Sequence, residues 1–286
     1  MVKTVTVLGT GLMGAGMARS MAASGLEVTV WNRSVEKARP LAEAGITVAE
    51  DLRDAVSGAD VVVTMLFDAD AVAQVMEQAL PAIGSSAVWA QNSTVGLDGT
   101  DRLAELARGH GIAFVDAPVL GTKQPAENGQ LIVLAGGPER SRPAVEPVFD
   151  AIGSRTVWVG ESPGDGHRLK LVANSWVLSV VGATAQAVGL AGAVGVDPGL
   201  FLEAIGGGPL DCGYAQVKGR AMMEDEFPPA FTLAGAVKDS ALIADAMRSA
   251  GTDDQLMQAL HHAFRTAADA GHADEDMSAV VNALRR

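Results

Sequence analysis

The sequence predicts two domains of different class: a doubly wound, mostly parallel α/β domain, followed by a mainly helical one. Three observations carry this expectation. The chain has 286 residues, more than a single hydrophobic core usually serves. As far as Gly160, short β-branched runs alternate with amphipathic stretches, the pattern of strands joined by crossover helices. Beyond "GESPGDG" the strand series stops and the remaining segments carry helical spacing.

The strand runs are, in order, "KTVTVL", "EVTVW", "ADVVVTML", "AVWAQ", "IAFVDA", "QLIVLAG" and "RTVWVG". Between them, 11–24, 69–80 and 97–108 have the length and apolar spacing of crossover helices. Pro163 and the glycines at 164 and 166 mark a boundary, which gives domains 1–162 and 163–286. The second domain opens on a long helix whose stretch 171–196 holds no charged residue, long enough to cross a bilayer at about 20 residues per span. Asn174, Ser175, Thr184, Gln186 and four glycines interrupt it, and no Lys or Arg cluster flanks it. The reading is therefore a helix buried on nearly all sides by protein. "LFLEAIG", "VKDSALIADAMRSA" and "DQLMQALHHAFRTAADAG" supply further helices.

Composition narrows the function classes. With 48% hydrophobic and 19% charged residues, the chain can bury an extended core and lacks the signature of disorder. A net charge of −13 opposes nucleic-acid binding through a general basic field. The single cysteine, Cys212, cannot form an internal disulfide, and together with an N-terminus that lacks signal-peptide features this points to a cytoplasmic protein. The histidines are scattered or adjacent on a helix, so no metal is expected.

"VLGTGLMGAG" fits G-x-G-x-x-G at Gly9, Gly11 and Gly14, after a strand and at the start of a helix. Gly9 permits the tight turn, Gly11 lets the backbone approach a pyrophosphate, and Gly14 allows close helix packing; Leu12 and Met13 belong to the same cofactor loop. At the end of the second strand, where an NAD-selective site presents a carboxylate, the chain has Asn32, Arg33 and Ser34, with Lys37 one turn onward. These groups can bond a 2′-phosphate that a carboxylate repels, so the expected cofactor is NADP(H), against the alternative of Arg33 as an ordinary surface residue.

"GDGHRLKLVANS" places Lys170 and Asn174 on one helical face. Gly166 leaves room for a ligand or another backbone. A lysine ammonium can stabilise a developing alkoxide and donate its proton during carbonyl reduction; equally, a lysine can snorkel from the start of a buried helix.

"VTVLGTGLMGAGMARSM", "DAPVLG" and "GDGHRLKLVAN" together resemble the signatures of the β-hydroxyacid dehydrogenase family, and the likeness spans essentially the whole chain. "DAPVLGTKQPAENGQLIVLAGG" is most similar to the glyoxylate and succinic semialdehyde reductase branch, which uses NADPH. The resemblance implies a Rossmann-like domain, a long interdomain helix, an all-helical domain through which the protein forms homodimers, and an active site in the cleft. It gives Lys170 the proton-donor role and Asn174 a role in orienting substrate. It puts Met65 and Leu66 along the cofactor, and Ser93 and Thr94 beside the nicotinamide and substrate. Phe231 becomes a pocket residue, and Lys238 and Asp239 a pair at the cofactor and substrate.

Two departures from the family pattern bear on substrate. Leu120, before Gly121 and Thr122, stands where the family usually has a carboxylate-binding serine, and Ser175 replaces a second asparagine. Leucine offers no hydrogen bond, so Gly121 and Thr122 are left to hold a substrate. The expected function is reduction of a small aldehyde or keto acid by NADPH, or oxidation of the matching hydroxyacid. The alternatives are an imine reductase or a reductase of a non-acid carbonyl and, third, a non-catalytic NADPH-binding module. Leu120, Met65, Trp176, Phe231 and the 205–217 loop are expected to shape the substrate cavity.

Overall fold

The computed structural model describes residues 3–285. Its strands are β1 (Thr4–Leu8), β2 (Glu27–Trp31), β3 (Thr47–Ala49), β4 (Val61–Thr64), β5 (Val88–Gln91), β6 (Ala113–Asp116), β7 (Val119–Leu120), β8 (Leu131–Gly136) and β9 (Gly153–Gly160). They form one sheet in the order β3-β2-β1-β4-β5-β6-β8-β7, with β9 also paired to β8. Neighbours run parallel except where β8 meets β6 and β7. Each strand run read from the sequence lies in this sheet, and the reversal between β1 and β4 is the switch point of a doubly wound fold. The two shortest strands, β3 and β7, had no sequence signal.

The sheet is covered on both faces, which is why β4 and β5 read as unbroken apolar runs. Val61 and Val63 join Val5, Val7, Met17, Met21 and Phe149 in one buried cluster. Val62 and Trp89 point the other way, to Val72, Met76, Leu103 and Phe114. Helices Leu12–Ala23 and Arg142–Ile152 pack on the first face, and Ala69–Ala79 and Gly96–Gly109 on the second.

The long helix spans Asp165–Ala193. Its first turn belongs to the sheet domain: Asp116 Oδ2 at the end of β6 accepts the N–H groups of Gly164 (3.0 Å) and His167 (2.9 Å). A side chain at Gly166 would collide with the Leu134 carbonyl, so that glycine admits another backbone. The chain divides into two compact units after Lys170, inside this helix, whereas the sequence placed the boundary at the glycine turn near Pro163.

From Leu171 the chain is helical, continuing through Pro198–Ile205, Gly213–Glu224, Leu233–Ser249 and Gln255–Ala267. Asp197 and Thr232 cap two of these, accepting the N–H of Gly199 (2.9 Å) and Gly235 (3.2 Å). Gly182 faces Leu260 with no space for a Cβ, so one glycine of the apolar stretch serves helix packing. The expectation of a helix buried nearly all round needs correction. Val172, Trp176, Ala183 and Leu190 lie four or seven residues apart on one face and are exposed, because a single small helical unit cannot cover the whole circumference of an apolar helix. By length and composition this helix could also cross a membrane.

Candidate active site

Gly9 adopts φ +103°, a conformation that favours glycine. A Cβ there would collide with the Met65 carbonyl, and one at Gly14 with the Gly9 carbonyl, whereas the space over Gly11 is open. The first and third glycines thus close the turn, and the second leaves a cradle for a phosphate group. Leu12 and Met13 open the helix Leu12–Ala23. Thr10 Oγ1, between the first two glycines, is buried without a hydrogen-bond partner, which suits a loop that meets the oxygens of a dinucleotide.

Asn32 braces this loop: its Oδ1 accepts the Thr10 N–H at 3.2 Å, and its Nδ2 donates to the Ser34 carbonyl at 2.9 Å. Arg33, Ser34 and Lys37 are exposed. Among the described residues neither cation there is paired with a carboxylate, so the end of β2 is locally positive.

Met65 and Leu66 follow β4 and pack against Gly9. The Ser93 hydroxyl accepts the Leu66 N–H at 2.8 Å and donates to the Thr64 carbonyl at 3.3 Å. Fully buried, Ser93 holds the Met65–Leu66 loop in place. Thr94 beside it is half-buried.

Lys170 is 7% exposed, and its Nζ donates to the Val119 carbonyl at 2.7 Å. That carbonyl belongs to the peptide joining Val119 to Leu120, the residue that departs from the family pattern. Leu120 is half-buried in β7, Gly121 takes φ +123°, and the Thr122 hydroxyl does not cap the short helix that follows it. One turn beyond Lys170 on the same helix, buried Asn174 donates to Asp239 Oδ2 at 2.6 Å, and Asp239 Oδ1 receives Lys238 Nζ at 2.6 Å. Phe231 lies over Gly235, where a Cβ would stand 2.8 Å from its ring.

An open cleft of about 850 Å³ lies elsewhere in the sheet domain, lined by Asp101, Glu105, Arg108, Arg140 and Glu161, and shares none of these residues. Two buried side chains were given no role from the sequence beyond the absence of a metal pattern among the histidines. His167 and Asp116 are both 0% exposed and bonded to each other. The available signal was the position of His167, one turn before Lys170, but nothing in the sequence joins it to a residue at the end of β6.

Comparison with known proteins bears on the family and the fold. Residues 4–160 match the NAD binding domain of 6-phosphogluconate dehydrogenase, and residues 164–284 match the NAD-binding domain of NADP-dependent 3-hydroxyisobutyrate dehydrogenase. The chain is 31% identical to glyoxylate/succinic semialdehyde reductase 1 of Arabidopsis thaliana, over 98% of both chains. Among solved structures, Mycobacterium tuberculosis 3-hydroxyisobutyrate dehydrogenase with L-serine superposes with a TM-score of 0.88 at 27% identity, over 100% of both chains. A Myxococcus stipitatus imine reductase in complex with NADP+ shares the fold less closely, with a TM-score of 0.69 at 22% identity over 99% of this chain and 100% of that one. A nicotinamide dinucleotide loop, a sheet domain and a helical domain in this order, matched along nearly the whole chain, make this protein an NAD(P)-dependent oxidoreductase of the β-hydroxyacid dehydrogenase family.

Proposed function

We propose that the protein reduces a small aldehyde or keto acid with NADPH, or oxidises the matching hydroxyacid, and that Lys170 is its proton donor. The observation that carries this reading is the Lys170 ammonium, buried at the start of the long helix and oriented by a hydrogen bond to the Val119 carbonyl at 2.7 Å. Bound NADPH supplies the hydride to the carbonyl carbon. Lys170 Nζ gives a proton to the carbonyl oxygen as its C–O double bond becomes single, and the neutral amine regains a proton from solvent. The Asn174–Asp239–Lys238 chain supports the family's substrate-orienting role for Asn174. The relative named for glyoxylate and succinic semialdehyde favours a short acid as substrate.

NADPH over NADH is favoured by Arg33, Ser34 and Lys37, exposed at the end of β2. NADPH should bind at least tenfold more tightly, about 1.4 kcal/mol, and Arg33→Ala should remove most of the difference. The exposed stripe on the long helix is best covered by a second copy of the chain, so the protein is a homodimer in this reading; a stable, active monomer at nanomolar concentration in sedimentation would overturn that.

The decisive experiment is NADPH oxidation across glyoxylate, succinic semialdehyde, simple aldehydes and cyclic imines, with Lys170→Met beside the parent. Carbonyl turnover should fall about 10²- to 10⁴-fold with NADPH affinity kept. Leu120 favours a second reading, a non-acid carbonyl or an imine. Leu120→Ser should lower KM for short acids by restoring a charge-assisted hydrogen bond worth about 1.5–3 kcal/mol. An unchanged KM together with faster parental turnover of neutral aldehydes or imines would move the assignment to the second reading.

A further inference from the structure

His167 takes no part in the chemistry described above, yet its ring is fully buried and both its nitrogens are engaged. Nε2 lies 3.0 Å from the backbone nitrogen of Val95, and Nδ1 bonds Asp116 Oδ1. A backbone N–H can only donate, so Nε2 must carry the lone pair and Nδ1 the hydrogen. The Asp116 carboxylate holds that tautomer, and its other oxygen binds the N–H groups of Gly164 and His167 at the start of the helix.

One imidazole therefore ties together the end of β6, the first turn of the helix that carries Lys170, and the residue after Thr94. From the other side, Gln91 Oε1 accepts the Ser93 N–H at 2.7 Å, and Gln91 Nε2 donates to the Ser93 carbonyl at 2.9 Å. Thr94 sits between two backbone positions that are each fixed by a buried side chain. An apolar residue could fill the space of the imidazole, but it would leave the Val95 N–H a buried donor without a partner. Catalytic groups displaced by about 1 Å lose on the order of 10²-fold in rate, so a rigid link between loop and helix bears on turnover.

We infer that His167, backed by Asp116, is a positioning residue that fixes the Thr94 backbone relative to the Lys170 ammonium. The inference rests on the reading of Lys170 as proton donor. Two isosteric changes separate its two bonds: Asn places an amide where Nδ1 stands, and Gln places one where Nε2 stands. His167→Asn keeps a donor for Asp116 and loses the acceptor for Val95; His167→Gln keeps the acceptor for Val95.

The test uses the full chain and whichever of glyoxylate and succinic semialdehyde the parent reduces faster, with kcat, KM, NADPH affinity and amide hydrogen exchange at Val95 measured for each variant. His167→Asn should lower kcat about 10- to 100-fold and speed exchange at Val95, with NADPH affinity near that of the parent and the thermal midpoint lowered by the unpartnered Val95 N–H. His167→Gln should recover most of the lost kcat. Unchanged kcat in His167→Asn, or equal damage in both variants with NADPH affinity falling in step, would overturn the inference. The two readings fail separately: a fully active Lys170→Met sinks the proton-donor assignment and this inference with it. An inactive Lys170→Met beside a fully active His167→Asn sinks this inference alone.

Discussion

Asp116 in the sheet domain and Asp276 in the helical domain are both buried carboxylates ringed by backbone N–H groups, and they differ in the partner each one holds. Asp276 Oδ1 receives Lys218 Nζ at 2.7 Å together with the Ser278 N–H and hydroxyl, and its Oδ2 receives the N–H groups of Ala230 and Phe231, each at 3.2 Å. Burial pushes this carboxyl up, but the Lys218 charge and the hydrogen bonds outweigh it and hold it below the usual range. The Tyr214 ring lies 5.3 Å from the same ammonium; its phenol is pushed far up, first by burial and then by the Asp276 charge. An ammonium only donates, so this network closes on itself and fixes the segment that carries Phe231. The imidazole beside Asp116 also accepts, so that network passes on to the 93–95 loop. The same anion thus secures fold in one unit and site geometry in the other.

The largest expected effect tests the fold-securing half. Lys218→Met keeps the aliphatic stem and strands the Asp276 carboxylate, so urea unfolding at pH 7 should show a loss of about 3–5 kcal/mol. A loss no larger than that of an exposed cap would end the distinction. The pH dependence sharpens it. A depressed carboxyl contributes stability that is complete above the unfolded value of about 3.9 and lost as pH falls through the lower folded value. Without Lys218 the carboxyl loses its largest lowering influence and keeps only its hydrogen bonds against burial, so it lies higher in the folded variant than in the parent and less of the variant's stability is lost as pH falls. The stability gap between parent and Lys218→Met should therefore close as urea midpoints are followed from pH 7 to about 3.5; a gap that widens would contradict the assigned sign.

Asp116→Asn should follow with about 1.5–3 kcal/mol, the range for hydrogen bonds to a charged group. Its activity should fall with it and be non-additive with His167→Asn in a double-mutant cycle; additive losses would uncouple the pair. The smallest change is Asp68→Ala. Its carboxylate caps the helix Ala69–Ala79 through the Ala71 N–H at 2.8 Å, and the loss of about 1 kcal/mol should leave turnover per folded molecule unchanged.

The long strands and the glycine loop were legible because each signal lies within a few residues: period and branching for β1, β2 and β4, and spacing for Gly9, Gly11 and Gly14. The helix Arg142–Ile152 escaped because Pro143 at its start and Pro147 within it resemble breaks in a sequence. Lys170 could be singled out as a lone cation before an apolar run, but its carbonyl partner lies 51 residues away. Ser93 shows the limit from the other side. The family resemblance put it beside the nicotinamide and substrate, but its buried hydroxyl is engaged in holding Leu66 and Thr64, a distinction that only tertiary packing sets. His167 and Asp116 escaped for the same reason.

Trp176, two-thirds exposed on the uncovered helix stripe at 66%, gives the protein a built-in optical gauge. An indole in water emits at longer wavelength than one among apolar groups. Trp89, sealed between Phe114 at 5.0 Å and the Thr64 hydroxyl at 2.9 Å, supplies the background together with half-buried Trp31 and Trp158. Association over the stripe should appear as a blue shift in the unlabelled protein, concentration by concentration. Replacing Trp176 with Phe keeps an aromatic ring and silences that signal, so the emission change can be assigned to one residue on one face.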